Sequence, residues 1–327
     1  MSLRPFSLLL AISILAISAA AQQACSVVEV PVGVISAGGE SFRGLIADSF
    51  VASKGSIKSV SYDEGPRRVL LVVDTSNKLS HNAHKAASEL VDSLVSASRP
   101  EDSLALITAR GPGGIVKFGE DRAGIARALS PQGGPSRKGG VLDALMDGLE
   151  WFEGSRPGDA VVVIAADLDG NHKTNARAVG KALAAHHIRM FGLALGPVQA
   201  GSTVATSTVT STTSQGMAYA APVTGLQAIN TGDEHFLPLT YDSGGLLLGV
   251  INEQSDVPHS MNDPKVQQQV KYKAQQMYKM VSVFYRLRVE SPQLSDPQPW
   301  TLGVTDAIRK QAPAAMWLLY PRELGPC

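Results

Sequence analysis

Asp74, Thr75 and Ser76 stand directly after five apolar residues in a row (VLLVV, 69–73), so a carboxylate and two hydroxyls arrive where a buried stretch stops. The run reads as a central parallel strand, and in open α/β sheets ligands meet the carboxyl ends of the strands. A short apolar run alone fits a buried helix equally well. Its ending in Asp-Thr-Ser, ahead of a helical stretch, favours a strand. A second fully apolar run, AVVVIA at 160–165, leads to Asp167 in the same manner.

Other groups with chemical potential fit their contexts less well. His186 after Ala184-Ala185, and Ser243 within Asp242-Ser243-Gly244-Gly245, superficially match the histidine and serine signatures of chymotrypsin-like proteases. Those enzymes are all-β double barrels, whereas His186 closes an alanine-rich helical stretch and no aspartate is placed to orient it. GPSRKG at 134–139 has the glycine spacing of a phosphate loop, but Gly140-Val141 follows where a lysine and a hydroxyl residue must stand. His81 and His84 lie at a helix start, and His186-His187 at a helix end where the dipole suffices to explain them.

The elements that must position Asp74 and Asp167 alternate helix with strand. Residues 84–95 put Ala87, Leu90, Val91, Leu94 and Val95 on one helical face, stopped by Arg99-Pro100. Strands are expected at 104–108 and 115–118, then a short helix at 122–129. A helix at 141–152 follows Gly139-Gly140 with Leu142, Leu145, Leu149 and Phe152 in one stripe. The strand at 160–165, a helix at 174–187 and a strand at 190–195 complete the pattern. Helices of this length between strands imply a Rossmann-like α/β class, a doubly wound and mostly parallel sheet.

The chain ends differ in character. Residues 26–35, 56–62, 282–290, 300–304 and 316–320 carry strand patterns, with Val283, Tyr285, Leu287 and Val289 alternating to one side. These predict a small antiparallel β unit built from both ends, with an amphipathic helix at 264–280 before the last strands. The tract at 198–231, including STVATSTVTSTTS, lacks the large apolar residues that offset ordering entropy and is expected as a surface excursion, a β-hairpin being the alternative. The resulting division is a signal segment at 1–21, an N-terminal β segment at 22–66 and an α/β domain at 67–252 with an insertion at 198–235. Residues 253–327 supply the helix and the C-terminal β segment.

Among 327 residues, 29 basic side chains balance 29 acidic ones, which argues against a dedicated nucleic-acid surface. Arg67-Arg68 and Arg137-Lys138 are expected to be solvated strand or loop ends. Arg4, an apolar run at 6–17 and Ala19 to Ala21 form a secretory signal, with the mature chain starting near Gln22. No later apolar run approaches the ~18 to 20 residues of a transmembrane helix, so a secreted or periplasmic location is expected. The only cysteines are Cys25 and Cys327. An oxidising compartment permits them to pair, closing a loop worth about 5 kcal/mol by chain entropy; two free or intermolecularly paired thiols are the alternative. Before Cys25, the residues Gln22-Gln23-Ala24 lack a lipobox pattern.

The chain resembles the von Willebrand factor A (VWA)-related proteins secreted by bacteria, across nearly its whole mature length. The likeness is carried by Gly44-Leu45 through Asp48-Ser49-Phe50, by LLVVDTS and by Gly139-Gly140 opening the helix at Asp143 to Leu145. VVIAAD, Ser243-Gly244-Gly245 and the terminal YRLRV strand add to it. The resemblance implies a metal-ion-dependent adhesion site made of Asp-x-Ser-x-Ser, a threonine and a third-loop aspartate. Mg²⁺ takes six oxygens near ~2.0–2.1 Å, and such a set leaves one position for an acidic group of a partner. Asp74, Ser76 and Asp167 match this pattern. Lys78 replaces the second serine and Val141 the threonine. A lysine ammonium beside two carboxylates neutralises them and repels Mg²⁺, so a degenerate site without a cofactor is expected; Asp169 and Ser80 are the replacement donors if Mg²⁺ is retained.

The reading that follows is a secreted, non-enzymatic, adhesion-type interaction module. It binds a protein or cell-envelope partner at the loops bearing Asp74, Ser76, Lys78, Val141 and Asp167. A scaffold with a vestigial site is the alternative, and a serine hydrolase acting through Ser243 a third.

Overall fold

The computed structural model describes residues 27–36, 39–77, 79–109, 114–129, 139–168, 173–195, 235–250, 260–290, 297–311 and 316–325. The expected signal segment, the Cys25–Cys327 bridge, Lys78, Asp169, Arg137-Lys138 and the tract at 198–231 lie outside them. Among the described residues no helix is long and apolar enough to cross a membrane.

The chain opens with β1 (Val27–Ser36), β2 (Phe50–Ala52) and β3 (Ser56–Asp63). It then alternates through β4 (Arg68–Asp74), α1 (His81–Ala97), β5 (Ser103–Ala109), β6 (Ile115–Val116), α2 (Ala123–Leu129) and α3 (Val141–Leu149). Next come β7 (Ala160–Ala165), α4 (Ala176–Ala185), β8 (Arg189–Ala194), α5 (Phe236–Asp242) and β9 (Leu247–Gly249). The last stretch holds α6 (Pro264–Ser282), β10 (Phe284–Glu290), β11 (Gln298–Pro299), β12 (Leu302–Val304), α7 (Asp306–Gln311), β13 (Met316–Leu319) and β14 (Glu323–Leu324).

Six strands form the central sheet in the order β6-β5-β4-β7-β8-β9. Every neighbouring pair is parallel except β5 with the edge strand β6. Helices cover both faces. Val69, Leu71 and Val73 of β4 pack with α1, α2 and α6, while Leu70 and Val72 pack with α3, α4 and α5. This two-sided burial is why β4 is uniformly apolar instead of alternating. The fold is therefore α/β and Rossmann-like, with a doubly wound, mostly parallel sheet. Because β4 pairs with β5 on one side and β7 on the other, the chain reverses its winding direction there, which opens a crevice at the carboxyl ends.

α1 starts at His81, earlier than apolar periodicity suggests, because the Ser80 hydroxyl accepts the Ala83 N–H at 3.1 Å and caps it. α5 and β9 are elements that periodicity does not mark. They are joined by Ser243-Gly244-Gly245, whose glycines are sterically required. Gly244 has φ +85°, and a Cβ on Gly245 would lie 1.8 Å from the Met190 carbonyl oxygen.

The second sheet runs β13-β1-β10-β3, antiparallel throughout, so strands from both described ends interleave. Val28, Val30, Val32 and Val34 alternate inward with Tyr285, Leu287 and Val289 over Phe50, Trp300 and Leu302. The Tyr285 hydroxyl accepts the Leu45 N–H at 3.1 Å and donates to the Phe42 carbonyl at 3.0 Å, which pins the Gly44-Leu45 segment.

The two sheets are joined at the amino edge of the central one, and here an expectation fails. Arg67 is 4% exposed and not solvated. Its Nε donates to the Ser282 carbonyl at 3.0 Å and its Nη2 to Asp63 Oδ1 at 2.7 Å. Arg68 grips Asp159 through two bonds of 2.9 and 2.5 Å. Arg189, fully buried, donates to the Val281 carbonyl at 2.9 Å. Arg67 and Arg189 stack on Phe284 at 4.5 and 4.7 Å from its ring centroid. Two cations thus meet the carbonyl end of α6, where the helix dipole favours them.

Candidate functional site

β4 ends at Asp74, which is 1% exposed, and its Oδ1 accepts the Ser76 N–H at 2.9 Å. This is an Asx-type turn that reverses the chain as it leaves the sheet. Thr75 donates both its N–H (2.9 Å) and its hydroxyl (3.2 Å) to the Ala109 carbonyl, fastening the loop to the neighbouring strand β5. The Ser76 carbonyl accepts the Leu79 N–H at 3.1 Å. Ser80, the replacement donor on this loop, accepts the Ala83 N–H through its hydroxyl and so caps α1.

On the other side of β4, Val73 pairs with Ile164, which sets Asp74 level with Ala165. Asp167 follows two residues later and is half-buried. The structure therefore brings Asp74, Ser76 and Asp167 to the ends of adjacent strands. Val141 is fully buried in the first turn of α3, packed among the apolar residues beneath that helix. Its apolar side chain belongs to the core and supplies no oxygen.

Sequence reasoning missed Asp143. Its Oδ2 accepts the Gly140 N–H at 3.1 Å, its Oδ1 accepts the Lys173 and Thr174 N–H groups at 2.9 and 2.8 Å, and Lys173 also reaches Oδ2 at 3.1 Å. Gly139 allows this approach, since a Cβ there would lie 3.3 Å from Oδ2 and 3.2 Å from Asp143 Cβ. Burial pushes the Asp143 carboxyl up, but the hydrogen bonds from Thr174, Gly140 and Lys173 outweigh it and hold it below the ordinary 3.8.

A cleft of about 610 Å³ opens beside the end of β4. Asp74, Thr75 and Asn77 contribute to its lining, as do His81, His84 and Lys85 of α1. The segment leading into α6 forms the facing wall, where Asn262 accepts from Lys85 Nζ at 3.0 Å and Met261 N–H donates to Asn82 Oδ1 at 3.3 Å. The two histidines were legible only as a helix start, because the wall they face lies far along the chain.

Of the oxygens that the resemblance implies, Asp74, Ser76 and Asp167 are in place, whereas Val141 offers none. Among the described residues no three His, Cys, Asp or Glu side chains are grouped to hold a metal. Ser243 is also committed: its Oγ accepts the Met190 N–H at 2.9 Å and donates to the Thr240 carbonyl at 3.0 Å in a buried setting.

No family model matches the chain, and no curated protein matches it. Solved structures are similar to it. An aerotolerance-related membrane protein from Bacteroides fragilis NCTC 9343 shares 18% identity over 63% of this chain and 98% of that one, with a TM-score of 0.39. The SpRpn10 VWA domain shares 11% identity over 40% of this chain and 76% of that one, with a TM-score of 0.28. A von Willebrand factor type A structure from Catenulispora acidiphila shares 10% over 53% and 41%, with a TM-score of 0.29. At these scores the likenesses carry no argument of their own; the fold class rests on the strand order of this chain.

Proposed function

We propose that this protein is a secreted, non-enzymatic interaction module that holds a protein or cell-envelope partner at the carboxyl edge of its central sheet, without a bridging metal ion. The observation that carries this reading is the cleft of about 610 Å³ at the end of β4, where loop and helix side chains of both charges converge at a reversal of sheet winding. Asp74, Glu89 and Asp92 contribute acidic groups to its lining, and His81, His84 and Lys85 basic or titratable ones. Such a lining, with charged groups among Val73, Ala87, Leu129 and Met261, suits a partner surface that offers both apolar and polar groups. Lys78 supplies, in this reading, the positive charge that an ion would otherwise bring.

The test is capture from an envelope extract by the wild-type chain and by a Lys78→Glu, Asp167→Ala double variant, with chelator and with Mg²⁺. The reading expects a reproducible partner that the variant loses and the chelator spares. Capture unaffected by the variant favours the scaffold alternative, in which binding runs through edge strands. That alternative draws on the exposed outer edge of β3, which pairs only with β10 in its sheet.

A further inference from the structure

We infer that Asp143 is the positioning residue of the carboxyl edge, a fixed anion that ties the second loop to the third and so does mechanically what a shared ion would do electrostatically. This deepens the proposed binding role of that face and rests on it for its purpose, though not for its geometry.

A carboxylate offers about four lone-pair sites, and three backbone N–H groups, those of Gly140, Lys173 and Thr174, make two contacts with each oxygen, the Lys173 N–H being shared. Both oxygens of Asp143 are therefore engaged by the backbone of the second and third loops. One of the contacts closes the entry to α3 and three grip the far end of the loop that leaves β7. That loop begins with Ala166 and Asp167, so its two ends are held by the sheet and by α3. Charge-assisted bonds of this kind are the stronger class, and they exist only while Asp143 is ionised. The Gly-Gly-x-x-Asp pattern thus has a physical meaning: the first glycine admits the carboxylate, the second donates to it, and the aspartate reaches onward to the third loop.

Hydrogen exchange and amide titration test the inference on the full chain. In Asp143→Asn, which keeps the shape and removes the charge, the amides of Lys173 and Thr174 exchange about tenfold faster while those of β4 and β7 keep their protection. In the wild type those two amide resonances shift together at one midpoint below the ordinary aspartate value, and the shift vanishes in the variant. Chelator leaves wild-type exchange at Lys173 and Thr174 unchanged. Unaltered exchange in the variant, acceleration spread evenly over the core, or faster wild-type exchange on adding chelator would each overturn it. Loss of partner capture with intact loop exchange bears on the proposed function alone.

Discussion

At the amino edge of the central sheet, Arg67, Arg68 and Arg189 bind acceptors supplied by distant parts of the chain, the last turn of α6 and Asp159 before β7, with Asp63 a local partner of Arg67. At the carboxyl edge, Asp74, Thr75 and Ser76 bind their own loop or the adjacent strand. One edge joins two sheets through buried charge; the other is a set of loops held by backbone N–H and hydroxyl groups beside an open cleft. The contrast separates stability from recognition. Buried charge held by hydrogen bonds is costly to break, whereas surface loops are where binding residues concentrate.

The comparison can be broken most forcefully at the amino edge. Arg67→Ala takes the donor from the Ser282 carbonyl and one of its partners from Asp63, which keeps Arg286 and the Gly65 N–H, and we expect a loss of ~1.5–3 kcal/mol in urea unfolding. A loss under about 1 kcal/mol would mean that the junction is not held by charge. Acid acts on the same group. Burial pushes the Asp63 carboxyl up, but the bonds from Arg67 and the Gly65 N–H, with the charge of Arg67, hold it below 3.8. Asp143 is depressed likewise. A carboxyl depressed in the fold binds its proton more weakly there than in the unfolded chain. Its contribution is present above the unfolded value and lost as pH falls through the folded one. The melting temperature should therefore hold steady down to about pH 5 and fall below about pH 4; a shallower fall in Asp63→Asn would locate that group's share.

Smaller changes sharpen the comparison on both sides. Burial, then the neighbouring His186, holds His187 below its ordinary 6.5. The unfolded chain takes up that proton first, so a modest stability loss begins as pH drops past 6.5 and is absent in His187→Gln. Smallest on stability is Asp167→Ala at the carboxyl edge, about 0.5 kcal/mol or less. Its effect is expected in partner capture.

How much of this was legible in sequence depended on how local the cause was. The buried runs at 69–73 and 160–165 announce central strands because both faces are covered, and Ser282-to-Glu290 alternation announces β10 because one face is. α5 carries Pro238, and β9 is three residues long, so neither gives a period to read. Arg67 looked like a solvated strand end because its acceptor at Ser282 lies 215 positions away. Asp74 and Asp167 were visible as strand ends. Asp143 was visible only as part of a pattern, since its donors at Lys173 and Thr174 come 30 and 31 positions later, and the facing wall of the cleft at Asn262 lies 177 positions from Lys85.

The central claim, that the carboxyl edge is assembled by protein groups and not by an ion, is met most directly by isothermal titration of the chain with Mg²⁺ and Mn²⁺. The account predicts no saturable heat for either ion. Micromolar binding that disappears in Asp74→Ala would contradict it.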